Sequence, residues 1–185
     1  MNVSERNVRA VMVREDLETI PEFPLPTGYS LRWYQPGDEQ HWLDIHLAAD
    51  KYNPITPELF AREFGAPGDL LNARQCFLFD PNQKPVGTAT AWFNDNFNGA
   101  AYGRVHWVAV VPAHHGHGLG KALLTIVCRR LRELGHPRAY LTTSTARIPA
   151  IKLYRCFGFV PLIRTADDAA IWREVEAELS SRSAC

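Results

Sequence analysis

One stretch, residues 104–134, limits what this chain can fold into. It begins with RVHWVAVV, a largely apolar run with the composition of a buried strand. Pro112 then ends the hydrogen-bonding ladder, because proline has no backbone N–H. A glycine-spaced loop follows, and apolar residues recur at helical spacing as far as Leu134. The stretch therefore predicts a strand, a glycine loop and a long amphipathic helix.

The start of that helix is a predicted anion site. N–H groups in the first turn of a helix lack intrahelical acceptors, and the helix dipole favours negative charge there. A phosphate-bearing ligand is therefore the first hypothesis. A Walker loop would need Ser or Thr after its lysine, whereas Ala122 follows Lys121. A dinucleotide loop would need Gly-x-Gly-x-x-Gly, whereas the glycines here lie two apart, at Gly116, Gly118 and Gly120.

Two motifs carry a resemblance to a known family. HGHGLG, residues 115–120, fits [Gln/Arg]-x-x-Gly-x-[Gly/Ala] everywhere but at its first place, and AIKLYRCFGF, residues 150–159, fits Ala-x-x-x-Tyr-x-x-x-Gly-Phe. Together they resemble the GNAT superfamily of acyl-CoA-dependent N-acetyltransferases, over roughly residues 28–165. Three residues depart from the family's usual pattern. His115 replaces Gln or Arg, His117 stands where a second basic residue is common, and Arg147 where many relatives have Asn.

The resemblance implies an α/β (α+β) fold, with a mixed, mostly antiparallel sheet of six to seven strands, four to five helices and splayed central strands. We expect residues 1–27 to be an extension that packs on one domain, residues 28–185. The resemblance also implies acetyl-CoA as co-substrate and no metal. The pantetheine arm would pair with the central strand, and the loop N–H groups would hold the pyrophosphate. The expected cofactor-binding residues are Val108, Ala109, Val110, His115, Gly116, His117, Gly118, Leu119, Gly120, Lys121 and Tyr154.

Acetyl transfer to an amine needs a proton acceptor, because an alkylammonium with a pKa near ~10.4 is not a nucleophile. Many relatives use a central-strand Glu, but Arg104 stands at that position. His106 lies two residues on, on the same face, and an ordinary pKa near ~6.5 would let it act as a base. A buried histidine satisfied by a neighbour is an equal alternative, and Glu63, Asp95 or solvent could also accept the proton.

Tyr154 matches the family's tyrosine, whose hydroxyl can protonate the leaving thiolate; a core tyrosine is the alternative. The leading hypothesis is direct transfer, with Tyr154 and His106 as catalytic residues. A non-catalytic acyl-CoA sensor is the rival, motivated by the missing Glu. A nucleotide-dependent transferase is a third class, and it would bind ATP with Mg²⁺.

Composition narrows the partners. Lys and Arg equal Asp and Glu at 20 each, so no basic field recruits nucleic acid. No apolar run approaches the ~20 residues that span a bilayer, and the N-terminus is too polar for a signal peptide. Cys76, Cys128, Cys156 and Cys185 show no paired spacing, as expected of reduced thiols. We expect a cytoplasmic protein with a small-molecule amine acceptor, no nucleic acid and no membrane partner; a homodimer is an open possibility.

The remaining elements are predicted from periodicity and turn residues. Strands are expected at residues 8–13 (a short edge strand), 28–35, 75–79, 86–93, 139–143 and 159–164. Helices are expected at residues 39–49, 57–64 and 149–157. Residues 65–72 and 94–100 are expected to be loops. Residues 167–179 should form a final helix, with a strand as the alternative for their first half.

Two further groups of side chains invite functional hypotheses. His114, His115 and His117 lie on one tight loop without a Cys or carboxylate partner, which rarely closes a metal's coordination shell. Four aromatic residues could wall an acceptor pocket or simply belong to the core. They are Trp33, Tyr34, Trp92 and Phe93.

Overall fold

A seven-stranded sheet organises the chain in this computed structural model, which describes residues 2–65 and 69–181. The strands are β1 (Arg9–Arg14), β2 (Ser30–Trp33), β3 (Gln75–Phe79), β4 (Pro85–Phe97), β5 (Ala100–Val110), β6 (Ala139–Ser144) and β7 (Val160–Pro161). Their order is β2-β3-β4-β5-β6-β1-β7. Every neighbouring pair is antiparallel except β5 with β6. The predicted mixed, mostly antiparallel sheet is confirmed.

Helices cover both faces of the sheet. They are α1 (Val3–Arg6), α2 (Glu39–Ala49), α3 (Pro57–Phe64), α4 (Asp69–Asn72), α5 (Leu119–Glu133), α6 (Ile148–Cys156) and α7 (Ala166–Ser181). One core cluster joins α5, α6 and α7 to the sheet, through residues such as Leu123, Ile151 and Trp172. A second cluster joins α2 and α3 to the other face, through Trp42 and Phe60. We call these the α5 face and the α2 face.

The N-terminal strand lies inside the sheet rather than at its edge. β1 pairs with β6 along all six of its residues and with β7 at Met12 and Val13. Met12 is fully buried, and Ala10 and Val13 are nearly so. The expectation of an edge strand was therefore wrong, because the two-residue β7 covers the outer side of β1. Residues 1–27 thus supply an interior strand of the domain.

The hairpin between β4 and β5 is longer than the sequence analysis predicted. Asn98 and Gly99 have φ of 55° and 80°, the positive values that a two-residue hairpin turn requires. The strands consequently run up to this turn, and residues 94–97, expected to be loop, belong to β4. Elsewhere α4 forms one helical turn where a loop was predicted, with residues 66–68 outside the described residues.

The C-terminal part forms a helix. Pro161 ends the last strand after two residues because it donates no backbone hydrogen bond, so the strand expected at residues 159–164 is much shorter. α7 then resolves the helix-or-strand alternative in favour of the helix. Cys76 and Cys128 are buried free thiols and Cys156 is an exposed one, while Cys185 lies outside the described residues. Within the described part of the chain, no helix has the length and apolarity to cross a membrane.

Candidate active site

The central strands β5 and β6 separate soon after they meet. Their pairing is confined to Gly103 with Ala139 and Arg104 with Tyr140. Beyond this point β5 stays paired with β4, and β6 stays paired with β1 as far as Ser144. A gap therefore opens beside the C-terminal half of β5, as the splayed-strand prediction requires.

A bulge in β5 sets which side chains flank the gap. The register with β4 shifts by one residue between Thr88 and Thr90, and Trp107 at this point has a φ of 47°. Such an extra residue re-aims the side chains that follow it. Trp107 consequently packs with the α2 face, as does His106, whose ring centroid lies 5.7 Å from that of Phe64. Two consecutive side chains of β5 are thus turned toward the same face.

The backbone of β5 next to the gap has polar groups that β4 does not use. The Val111 N–H donates to the Val86 carbonyl at 2.9 Å, so Val86 and Val111 form a hydrogen-bonded antiparallel pair. Hydrogen-bonded and non-hydrogen-bonded residue pairs alternate along an antiparallel ladder. The backbone N–H and C=O of Ala109 therefore point toward β4, and those of Val110 point toward the gap. Of the three residues predicted to pair with pantetheine, Val108 and Val110 therefore face the gap, while Ala109 does not.

The glycine loop leads from β5 into α5 and presents bare amides. Gly116 and Gly118 both have a φ of 81°, and Gly118 is the N-cap of α5. At Gly120 a Cβ would lie 3.1 Å from the Leu153 side chain, so glycine lets the two helices approach. Within the described residues, no acceptor is found for the backbone N–H groups of Gly116, His117, Gly118, Leu119 and Gly120. These unpaired donors at a helix N-terminus fit an anionic group.

The side chains of the loop histidines bind other parts of the protein. His115 Nε2 lies 2.8 Å from the Val110 carbonyl oxygen, and His114 Nδ1 lies 2.8 Å from the Tyr29 hydroxyl. The Lys121 ammonium lies 4.8 Å from the centroid of the Phe23 ring. Among the described residues no group of three His, Cys, Asp or Glu side chains is arranged to hold a metal. The loop's attraction for an anion therefore comes chiefly from its backbone.

On the α2 face, Glu63 of α3 joins the two side chains at the bulge. Its Oε2 accepts a hydrogen bond of 3.0 Å from Trp107 Nε1 and lies 3.2 Å from His106 Nε2. The second contact is close but poorly aligned, which leaves His106 Nε2 buried without a hydrogen bond to the described residues. The sequence analysis considered His106 and Glu63 as alternatives, and the structure brings them together.

The two groups carry well-defined charges at neutral pH. Burial, the largest influence, lowers the pKa of His106 to about 4, with Glu63 acting in the opposite direction. The contact with His106 is the largest of the influences that lower the pKa of Glu63 to about 2. His106 is therefore neutral and Glu63 ionised at pH 7. The ordinary histidine pKa assumed from the sequence does not apply here, because only 6 % of His106 is exposed.

Tyr154 lies on the opposite side of the sheet from this pair. It belongs to α6, is half-buried and packs in the same core cluster as Val108 and Val110. Burial raises the pKa of its phenol, with Arg147 opposing, so the group is protonated at neutral pH. No hydrogen bond joins its hydroxyl to the residues that the structure describes. The gap thus has a proton donor on the α5 face and a carboxylate–imidazole pair on the α2 face.

Comparison with known proteins identifies this arrangement. Residues 29–159 match the Acetyltransferase (GNAT) family, which is more than half of the chain. The chain belongs to the GNAT family. Among solved structures, a GCN5-related N-acetyltransferase from Sphaerobacter thermophilus has a TM-score of 0.70 at 23% identity, over 85% of this chain and 50% of that one. The ribosomal-protein-S18-alanine N-acetyltransferase from Escherichia coli has a TM-score of 0.60 at 21% identity, and the match covers 75% of this chain and 86% of that one. Both share the GNAT fold.

Curated GNAT relatives are more similar in sequence. A mycothiol acetyltransferase from Salinispora tropica is 34% identical over 151 residues, which cover 76% of this chain and 47% of the relative. A mycothiol acetyltransferase from Pseudarthrobacter chlorophenolicus is 33% identical over 150 residues, which cover 76% of this chain and 45% of that relative. The chain therefore spans about half the length of the curated relatives it matches.

The other residues considered from the sequence lie in different parts of the fold. Asp95 is exposed near Arg74 and His136, whose pKa values it influences, rather than near His106. The four aromatic side chains do not form one wall. Tyr34 and Trp92 pack in the α2-face cluster, Trp33 packs in the α5-face cluster, and Phe93 lies beneath the Arg74 guanidinium. The four side chains therefore do not lie on one face of the sheet, and a place for any one of them in the acceptor site stays a prediction.

His46 and Asp50, which were not singled out from the sequence, lie near the end of α2 and contact Trp107 and Arg147 respectively. His46 is buried between Trp42 and Trp107, with ring centroids 4.3 and 5.0 Å away. Asp50 binds Arg147 Nη2 through both carboxylate oxygens, at 2.7 and 2.9 Å. Arg147 stands where many GNAT relatives have Asn. A half-buried guanidinium needs a carboxylate partner, and a search for that partner is the signal that could have indicated Asp50.

Proposed function

We propose that this chain is an acetyl-CoA-dependent N-acetyltransferase that moves the acetyl group directly to a primary amine of a small molecule. The observation that carries the proposal is the gap between β5 and β6, which opens next to five amides at the start of α5 that have no acceptor among the described residues. A turn required only for chain reversal would not need an adjoining strand with polar groups turned away from its neighbour β4. The two features together suit a long, extended ligand that ends in a diphosphate.

The members of the GNAT family use acetyl-CoA, and the residues around the gap fit it. The backbone of residues 116–120 and Lys121 would bind the pyrophosphate, as exposed amides at a helix N-terminus do. Val108 and Val110 would pair with the pantetheine arm through their gap-facing polar groups. His115 would act indirectly, because its ring is bound to the Val110 carbonyl. When bound, the co-substrate supplies the activated acetyl group.

Proton movement is assigned to the two faces of the gap. Tyr154 would donate its hydroxyl proton to the leaving thiolate, which its protonated state and lack of an internal acceptor favour. Ionised Glu63 would attract the substrate ammonium, since 26% of its side chain is exposed. Neutral His106, which lies 3.2 Å from Glu63, would accept the ammonium proton on its ring and release it to water. With a pKa of about 4, His106 would hold a proton only briefly.

The acceptor class follows from the relatives and the surface charge. The curated relatives are named mycothiol acetyltransferases, which favours a small-molecule acceptor here too. The balanced charge of the chain agrees, since it offers no strong field for a polynucleotide or a highly charged protein tail. A reducing, cytoplasmic setting remains part of the proposal, and the free thiols Cys76 and Cys128 suit it.

The test is acetyl-CoA binding followed by turnover on a panel of primary amines. Calorimetry should detect acetyl-CoA, acetyl-CoA should raise the melting temperature, and released CoA should appear only when an acceptor amine is present. If acetyl-CoA neither binds nor raises the melting temperature, the proposal is refuted. Binding and protection without turnover on any amine would instead favour the acyl-CoA sensor, and ATP binding that requires Mg²⁺ would favour a nucleotide-dependent transferase.

A further inference from the structure

A polar cleft lies on the protein surface where β1, β6 and the segment after α2 meet. It has a volume of about 250 Å³ and opens to solvent. Its lining consists of Asn7, Arg9, Tyr52, Asn53, Thr142, Thr143, Ser144 and Arg147. Tyr52 is the one aromatic member of this set, and the set holds two arginines but no carboxylate. The cleft is thus built from hydrogen-bonding groups with an excess of positive charge.

The wall after α2 is held in a fixed shape by Asp50. Its carboxylate accepts hydrogen bonds from the backbone N–H groups of Tyr52 and Asn53, at 2.8 and 3.1 Å, and binds Arg147. Burial alone would raise the pKa of Asp50, but these hydrogen bonds and Arg147 together lower it. The Tyr52 hydroxyl donates to the Ala146 carbonyl at 3.2 Å and links this wall to the end of β6. The cleft is therefore preformed.

The two arginines differ in how they are neutralised. Arg147 is paired with Asp50, so this pair adds little net charge to the cleft. Arg9 is exposed, and no ion pair joins it to any residue in the described part of the chain. Ser144, opposite Arg9 in the β1–β6 ladder, has a buried Oγ without a hydrogen-bond partner there. The exposed Arg9 guanidinium, which has no ion pair among the described residues, is suited to a carboxylate or phosphate.

The cleft and the carboxylate–imidazole pair are linked through His46. Arg147, which lines the cleft, and His106 both influence the pKa of His46, and the His46 ring centroid lies 5.0 Å from that of Trp107. Along the sheet, β5 pairs with β6 at Arg104 and Tyr140, and Thr142 follows two residues after Tyr140. Ser144 and Arg9 lie two residues further, roughly 7 Å along the strands. The residues Tyr140, Thr142 and Ser144 share the face on which Arg104 stacks over Tyr140. Glu63, which is negatively charged, and Arg9, which is positively charged, thus lie on the same face of the sheet, the α2 face.

We propose that the acceptor amine carries an anionic group, a carboxylate or a phosphate, which Arg9 binds in this cleft while the amine reaches Glu63. This inference rests on the proposed acetyltransferase function and specifies its substrate class. The N-terminal segment would then form part of the acceptor site, which is possible because β1 lies beside β6. Arg147 and Asp50 would shape the cleft without carrying the selectivity.

The experiment compares matched primary amines: ω-amino acids with three to six carbons, their carboxamides, and aminoalkyl phosphates of the same lengths. We expect kcat/KM to be about tenfold or more higher for an anionic acceptor than for its carboxamide, with one preferred length, because a charge-assisted hydrogen bond is lost in the amide. The carboxylate and phosphate arms determine which anion is preferred. In Arg9→Gln the ratio of anionic to neutral acceptor should fall toward one.

Arg173→Gln is the matched control, because Arg173 is an exposed arginine on α7, away from the cleft; it should keep the ratio of the unmodified protein. Equal or better use of the carboxamides, with acetyl-CoA binding intact, would overturn this inference alone. Absence of acetyl-CoA binding would instead refute the underlying function. Should no amine be acetylated, calorimetry of the same matched pairs with the CoA-loaded protein makes the comparison, and a missing preference for the anion would again overturn the inference.

Discussion

The ring of His115 lies 2.8 Å from the carbonyl oxygen of Val110, so the glycine loop is fastened to the strand that precedes it. A carbonyl can only accept, which means that His115 Nε2 carries the proton. The loop therefore keeps its position relative to the gap without using the ring for direct contact with an anion. Under the proposed function the backbone provides the anion site, so a histidine can replace the family's usual Gln or Arg here.

His115→Ala should weaken acetyl-CoA binding by about three- to tenfold, the loss expected for one hydrogen bond between neutral groups. The Val110 carbonyl would lose its partner, and the loop would lose its anchor. Calorimetric titration with acetyl-CoA measures the change. His117→Ala is the control, because within residues 2–65 and 69–181 the ring of His117 makes only aromatic contacts, with Tyr29 and His114. This variant should bind acetyl-CoA nearly as the unmodified chain does. Equal affinities for the two variants would contradict an anchoring role.

The parts of the fold that the sequence predicted depend on local patterns. The Gly116–Gly118 spacing, Pro112 and the apolar periodicity of α5 each act within a few residues, and they marked the strand, loop and helix correctly. α2 and β3 were predicted with the boundaries that the structure has, for the same reason. The C-terminal segment was ambiguous because its charged and apolar residues fit both a helical and a strand pattern. Packing against α6, which the sequence does not show, accompanies the helix.

The remaining features depend on contacts between distant residues. Nothing within residues 9–14 indicates that β1 joins β6, which begins 130 residues after it. The bulge at Trp107 likewise appears only when β5 is paired with β4, and it brings His106 and Trp107 to the same carboxylate. The low pKa of His106 results from helices that pack over it. The sequence could therefore name candidates such as His106 and Glu63, but not their proximity or their charge.

Gly118→Val should weaken acetyl-CoA binding by about tenfold or more. The branched side chain disfavours a φ of 81°, so the loop would turn its amides away from the pyrophosphate. Gly135→Val is the control at the other end of α5, where φ is 84° and no neighbouring atom lies within 4 Å of the added Cβ. Both variants should lose similar stability, about 1–2 kcal/mol. Only Gly118→Val should lose affinity, and a loss shared by both would mean that the amides of this loop are not the anion site.

Tyr154→Phe should lower kcat by about 10²-fold, the lower range for removal of a general acid, while acetyl-CoA binding changes little. The hydroxyl has no hydrogen bond to the described residues, so its removal should not disturb the fold. Tyr102→Phe serves as the control, since the Tyr102 hydroxyl donates to Glu15 at 2.8 Å near the start of β5, on the paired side of the splay. A normal kcat in Tyr154→Phe would assign the protonation to another group or to solvent.

Two buried neutral histidines should make the stability of the protein depend on pH. Burial lowers the pKa of His46 to about 3 and that of His106 to about 4, against 6.5 in the unfolded chain. The unfolded chain therefore binds more protons below pH 6.5, so stability is complete above that pH and is lost as the pH falls toward 4. Between pH 7 and 5 each histidine should cost about 2 kcal/mol, since one pKa unit corresponds to about 1.36 kcal/mol.

The range between pH 7 and 5 distinguishes the contribution of the histidines to stability from that of the carboxylates. Glu63 and Asp50 also have lowered pKa values, but their ordinary values, 4.5 and 3.8, confine their contribution to lower pH. Urea unfolding at pH 7, 6 and 5 measures the effect. His46→Gln should remove about half of the loss, with the remainder due to His106 and the half-buried His136. His41→Gln replaces a half-buried ring on the same helix and is the comparison variant; it should remove less of the loss than His46→Gln does. A flat profile in the unmodified chain would mean that water reaches both buried rings.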